Sequence, residues 1–187
     1  MKRGWVISYA SAGLSLALSA SIAHADAAAT YSENGRALFS FQVPDFWTLD
    51  VGGEMELTLP EVGETHRAPQ VLAIEPTVDP TVWMGFLSPS GVRNIDEGRA
   101  YLDDLARFLA FDPKVNPPVL RKIGGQPAAI ISGTGRRDRK SLQFAIAVVQ
   151  MPADRVLIAA SVVEAGTDPA FFNQLNGIFG SIRVPGR

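Results

Sequence analysis

Two apolar runs decide how this chain folds: Leu142-Gln143-Phe144-Ala145-Ile146-Ala147-Val148-Val149-Gln150 and Arg155-Val156-Leu157-Ile158-Ala159-Ala160-Ser161-Val162-Val163, joined by Met151-Pro152-Ala153-Asp154. In the first run the even positions Leu142, Phe144, Ile146 and Val148 share one side of a strand. The odd positions are also mostly apolar, as Ala145, Ala147 and Val149. The second run repeats this, with Val156, Ile158, Ala160 and Val162 on one side and Leu157, Ala159 and Val163 on the other. A strand wetted on one face alternates apolar with polar, whereas a strand apolar on both faces sits inside a sheet covered twice. The link has turn chemistry, because Pro fixes φ and Asp bonds the local backbone. Residues 142–163 are therefore expected to be a central β-hairpin, with small alanines that let a covering helix approach closely.

The next segment supplies a cover. Asp168 suits an N-cap and Pro169 the first helical turn. Phe171, Phe172, Leu175, Ile178 and Phe179 then recur as one helical stripe. Gly180 is expected to end this helix, with a short strand at most over residues 182–184.

At the other end of the chain, Lys2 and Arg3 precede an apolar, Ser- and Ala-rich stretch over residues 5–22 and an Ala23-His24-Ala25 site. This is the pattern of a cleaved export signal over residues 1–25, with a mature chain starting at Asp26. A retained anchor is the alternative. The chain has 17 basic and 19 acidic residues, and removing Lys2 and Arg3 leaves 15 against 19, which gives no electrostatic case for nucleic acid. Without cysteine there is no disulfide, no thiol chemistry and no cysteine to carry a lipid. A periplasmic or secreted single domain over residues 35–187 is expected, behind a flexible leader at 26–34.

Between these ends the pattern is β-rich. Phe39, Phe41 and Val43 alternate inward until Pro44-Asp45-Phe46-Trp47 makes a bend anchored by Trp47. Met55, Leu57 and Leu59 alternate with Glu54, Glu56 and Thr58, marking a peripheral antiparallel strand. Residues 60–69 read as a polar loop carrying His66, and residues 71–75 and 82–87 as strands. Asn94-x-x-Glu97 is a capping box opening a helix with a Leu102, Leu105, Ala106, Leu109 stripe, and Asp103 is spaced for ion pairs with Arg99 and Arg107. Residues 111–118 hold three prolines and read as a rigid connector. Gly124-Gly125 turns a hairpin between residues 119–123 and 126–134, and residues 135–141 form a basic loop. The expected fold is α+β: an α/β/α sandwich whose central, largely antiparallel sheet is flanked by two main helices.

Three segments carry a resemblance: Phe39-Ser40-Phe41-Gln42-Val43-Pro44-Asp45-Phe46-Trp47, Ile123-Gly124-Gly125-Gln126-Pro127-Ala128, and the two-run hairpin with its helix and closing Ser181-Ile182-Arg183. Together they make the chain similar to the PsbP-like superfamily, which includes an extrinsic photosystem II subunit and bacterial envelope proteins. The resemblance implies a non-enzymatic binding, assembly or chaperone-like role, with an unidentified envelope protein or membrane complex as partner. It implies no cofactor, and no family metal site or functional residue maps onto this sequence.

Site candidates are few. Arg136, Arg137, Arg139 and Lys140 are four cations in five residues, suited to an anionic partner surface or to capping a strand end. Trp83, in Val82-Trp83-Met84-Gly85-Phe86-Leu87, could line an apolar groove or belong to the core. His66, flanked by Glu61 and Glu64, suggests acid–base chemistry or an ordinary solvated loop. Glu54 with Glu56, and Asp103 with Asp104, are carboxylate pairs that strand alternation and a wet helix face explain equally well. No nucleophile elbow, P-loop or dinucleotide fingerprint occurs. No catalytic residue and no metal ligand is assigned. The expected role is a non-catalytic envelope accessory protein, with a carrier of a small apolar or anionic ligand, or a hydrolase using His66, as alternatives.

Overall fold

The computed structural model describes residues 26–52, 55–58, 65–68, 70–137 and 139–185. The proposed export signal, Glu54, Leu59, Glu61, Glu64 and Asp138 lie outside them. So do the side chains of Met55, Glu56, Leu57, His66, Asp103, Asp104, Leu105, Ala106, Arg107 and Leu109.

The two apolar runs are the strands Lys140–Met151 and Arg155–Glu164, and they sit inside the main sheet. In chain order the strands are β1 (Ala27–Glu33), β2 (Arg36–Val43), β3 (Trp47–Val51), β4 (Met55–Thr58), β5 (Thr65–Ala68), β6 (Leu72–Pro76) and β7 (Val82–Leu87). Helix α1 (Ile95–Leu109) follows, then β8 (Phe111–Val115), β9 (Val119–Ile123), β10 (Gln126–Arg137), β11 (Lys140–Met151), β12 (Arg155–Glu164) and α2 (Ala170–Ser181). The main sheet has the order β3-β6-β7-β12-β11-β10-β8, with β9 also paired to β10. Every pairing is antiparallel. β11 and β12 thus have neighbours on both sides, as their two-faced apolar pattern requires.

Each face has its own core. Ala147, Val149, Leu157, Ala159 and Val163 cluster with Phe39 and Phe41 of β2 and with Leu175 and Ile178 of α2. Ile146, Val148, Val156, Ile158, Ala160 and Val162 cluster with Leu102 of α1. Each fully buried Leu, Ile, Val or Phe is worth about 1.5–3 kcal/mol relative to exposure, so the double cover is the main source of stability. The first core is aromatic where β2 meets the sheet: the Phe41 and Phe86 rings stack at 3.8 Å and the Tyr31 and Phe39 rings at 4.8 Å. The tight helix approach occurs on the other face. There a Cβ on Gly98 of α1 would lie 2.5 Å from Val148 Cγ1. Glycine on the helix, rather than alanine on the strands, makes that contact.

Several expectations need correction. Residues 27–33 are not a flexible leader. They form β1, antiparallel to β2, and bury Ala29 and Tyr31. Alanine repeats hid the alternation that Ala29 and Tyr31 complete. Residues 111–118 are not merely a connector, because β8 pairs with β10 at Gly133↔Val115 and Asn116 N–H donates to Ser132 O at 2.8 Å. Prolines are tolerated there because the strand is at an edge. His66 stands on β5 opposite Leu57 of β4, not in a loop. β4–β5 form a separate two-stranded ladder whose numbering continues the β3–β6 register. β3 starts at Trp47, the end of the expected bend, and runs on to Val51.

The helix starts and stops follow local chemistry. Asn94 Oδ1 accepts from Glu97 N–H at 2.9 Å, and Glu97 Oε2 accepts from Arg93 N–H at 2.8 Å. Arg99 pairs with Asp96 at 3.6 Å, while the side chain of the expected partner Asp103 lies outside the described residues. In α2, Asp168 Oδ1 accepts from Ala170 N–H at 2.8 Å. Gly180 does not end this helix, which runs on to Ser181. Phe172 lies off the buried stripe and is exposed.

Candidate functional site

The basic segment is the tip of the β10–β11 hairpin. Arg136 and Arg137 end β10, Lys140 opens β11, and Arg137 pairs with Lys140 across the ladder. The expected loop over residues 135–141 is therefore mostly strand. Glu164, at the end of β12, engages two of its four cations: Lys140 Nζ donates to Glu164 Oε2 at 2.7 Å and Arg137 Nη2 lies 3.6 Å from Oε1. The hydrogen bond from Lys140 holds the Glu164 carboxyl below its ordinary range against an opposing push from burial, with both cations adding to the effect. Arg136 and Arg139 remain exposed. Arg136 lies on the sheet face opposite Arg137, so the four cations do not form one patch.

Trp83 packs in the core on the α1 side, and its ring lies over Gly85, where a Cβ would collide with it. His66 is placed by its backbone alone.

An open cavity of about 480 Å³ lies at the opposite end of the sheet, between the β1–β2 turn, the β11–β12 turn and Val184-Pro185. Its walls include Glu33, Arg36, Leu38, Met151 and Arg155. The Arg155 guanidinium pairs with Glu33 through Nη1, and its Nη2 donates to Ser88 O at 3.1 Å and Ser88 Oγ at 3.0 Å. Arg155 Nε is buried with no hydrogen-bond partner among the described residues. None of these residues was singled out from sequence. The signal available was Arg155 itself, a charge opening an otherwise apolar strand.

The most unusual surface is where the chain enters β3. Trp47 is the anchor expected of it: its indole N–H donates to Gln174 Oε1 at 2.6 Å, and its ring meets Phe171 edge-on at 6.3 Å. Phe46, one residue earlier, is turned outward, 76% exposed, with φ 66°. A left-handed backbone costs an L-residue about 1–2 kcal/mol, and the exposed ring recovers none of it by burial. Phe46 O accepts from Thr77 N–H at 2.7 Å, which brings 82%-exposed Val78 alongside. Leu49 and Val51 continue the apolar margin along β3, 42% and 61% exposed. Scattered apolar residues are ordinary on a surface, but contiguous ones mark contact sites. Sequence reading missed Phe46 because Trp47 explained the bend without it.

The fold is PsbP-like. The structure is similar to cyanobacterial PsbP (CyanoP) from Synechocystis sp. PCC 6803, at 13% identity and a TM-score of 0.50, over 94% of this chain and 98% of that one. It is also similar to LpqN of Mycobacterium tuberculosis, at 14% identity and a TM-score of 0.50, over 86% of this chain and 91% of that one. The chain spans less than half, 46%, of a structure from Bacteroides thetaiotaomicron VPI-5482, matched at 12% identity and a TM-score of 0.47. No protein-family model matches the sequence, and no curated protein matches it. Among the described residues no helix is long and apolar enough to cross a membrane.

Proposed function

We propose that this protein is an exported, non-catalytic accessory protein of the bacterial envelope, an α/β/α sandwich that acts by binding another protein. The observation carrying this reading is Phe46: an aromatic ring held 76% exposed on a left-handed backbone, beside exposed Val78. Strain of that kind persists where the surface has a use. Export rests on the pattern of residues 1–25. The fold is shared with LpqN, described as involved in cell envelope biogenesis, and that likeness is consistent with an envelope setting. The processed chain, immobilised and exposed to an envelope extract, should enrich a discrete protein that a Phe46→Ser, Val78→Ser variant fails to retain. Equal recovery by both forms and by a mock bait would remove the basis for the proposal.

A second reading, a carrier for a small anionic amphiphile, draws on the cavity. Its volume of about 480 Å³ suits a small ligand, and Arg36 and Arg155 lie on its wall. Native mass spectrometry of freshly purified protein should then show an added mass that Arg36→Gln reduces. A bare polypeptide mass would count against it.

A further inference from the structure

The two edges of the main sheet are built differently. Along the outer side of β10, β8 and β9 lie end to end, interrupted by Asn116-Pro117-Pro118. Pro113, Pro117 and Pro118 remove three backbone donors from that margin, and Lys114, Arg121 and Lys122 add charge. These are the devices by which proteins keep foreign strands off a sheet edge. β3, at the other edge, has no proline and one charge, Asp50.

The β3 backbone is also poised to pair. Thr77 N–H donates to Phe46 O, and Gly52 N–H donates to Val71 O at 2.8 Å. Both bonds fall at even-numbered positions flanking β3, so by antiparallel alternation Thr48 and Asp50 also point their peptide groups at β6. Trp47 faces Pro76, which has no N–H to offer, in agreement with that alternation. Leu49 and Val51 therefore turn their N–H and C=O groups outward, along a margin that has no strand partner among the described residues. The side chains sort by face. Trp47, Leu49 and Val51 lie on the side of Ile74 and Leu72, where the β1–β2 and α2 core is. Thr48 and Asp50 lie on the opposite side with Glu75.

We propose that β3 accepts an extended segment of a partner protein as an added antiparallel or parallel strand, and that this segment alternates apolar residues with Lys or Arg. The apolar positions cover Leu49 and Val51, and the basic positions meet Asp50 and Glu75. Backbone pairing supplies the affinity and the alternate side chains the selection. The guarded β8–β9 margin keeps copies of the chain from adding head to tail into an open sheet, because only one edge of each copy can pair. The inference deepens the protein-binding reading and rests on it.

The test uses the processed chain and a capped nonapeptide of alternating Lys and Val. Binding is followed by fluorescence anisotropy and by amide exchange at Leu49 and Val51. Protection should appear at those two amides. The matching Glu–Val peptide should bind weaker by about tenfold or more, since like charges meet across the pair. A Lys–Val peptide with N-methylated valines should not bind. Leu49→Pro removes an outward donor without touching the β6 ladder, and should abolish binding while circular dichroism stays unchanged. Leu49→Lys, Asp50→Lys is a second variant, retaining every backbone donor, that should reverse the preference towards the Glu–Val peptide. Protection at β9 instead, equal binding of both peptides, or full binding by both variants would overturn the proposal. A dimer of the chain broken by Leu49→Pro, with no peptide bound, would assign the edge to a second copy and overturn it as well. If an envelope partner is still retained by Leu49→Pro, the edge assignment falls while the protein-binding reading stands.

Discussion

Glu33 and Arg155 are 122 residues apart in sequence, yet their ion pair joins the β1–β2 turn to the start of β12. β1 and β2 form their own two-stranded ladder. This contact, the aromatic stack beneath β2 and the Ser40–Arg183 bridge therefore help to hold the hairpin down. Removing the carboxylate leaves a guanidinium that is largely buried.

Glu33→Ala should therefore destabilise the fold by about 0.5–1 kcal/mol, the range for a partly exposed ion pair. Urea unfolding measures this, and exchange should accelerate first in β1. An unchanged midpoint would mean that the hairpin's other contacts secure it without the ion pair.

Glu164 gives a pH dependence of definite sign. Its folded pKa lies below the ordinary value of 4.5 because of Lys140 and Arg137. The stabilisation is fully present above the unfolded pKa and is lost as pH falls through the lower folded value. Glu164→Gln should be less stable than the parent at pH 7, and the gap should narrow below about pH 4. Parallel melting curves for the two forms down to pH 3 would contradict the ion pair.

Ala153 and Asp154 both have positive φ, 62° and 50°, in the turn joining the central strands. Asp tolerates this conformation, but Ala does not favour it. Ala153→Gly should raise stability by about 0.5–1 kcal/mol, strain relief outweighing the added freedom of the unfolded chain. The urea midpoint should rise with an unchanged slope.

At Gly98 the opposite sign is expected. Alanine is the better helix former by about 1 kcal/mol, but its Cβ would meet Val148 at 2.5 Å. Gly98→Ala should cost about 1–3 kcal/mol through overpacking. Combining it with Val148→Ala should cost less than the sum of the two single changes, because the smaller strand residue makes room. Strict additivity would show that α1 shifts away freely.

Much of the architecture was legible because it is written in local periodicity. Phe39, Phe41 and Val43 alternate inward, residues 142–163 are apolar on both sides, and Asn94 with Glu97 caps a helix whatever packs against it. The candidate site was far less legible. Arg136, Arg137, Arg139 and Lys140 looked like one patch because they are adjacent in sequence. Alternation puts Arg136 on the other face, and Glu164 engages Arg137 and Lys140. Phe46 went unremarked because its significance lies in a backbone angle and in lack of cover, neither of which periodicity encodes.

Sequence alone determined the central hairpin, the two helices and the turn positions, since these follow from side-chain spacing and backbone preference within a few residues. Tertiary structure decided that the alanine-rich start is a strand and that Glu33 reaches Arg155. It also placed β3 at one edge of the sheet formed by the described residues and the proline-rich β8 at the other. Those outcomes depend on which segments, distant along the chain, compete for the same face of one sheet.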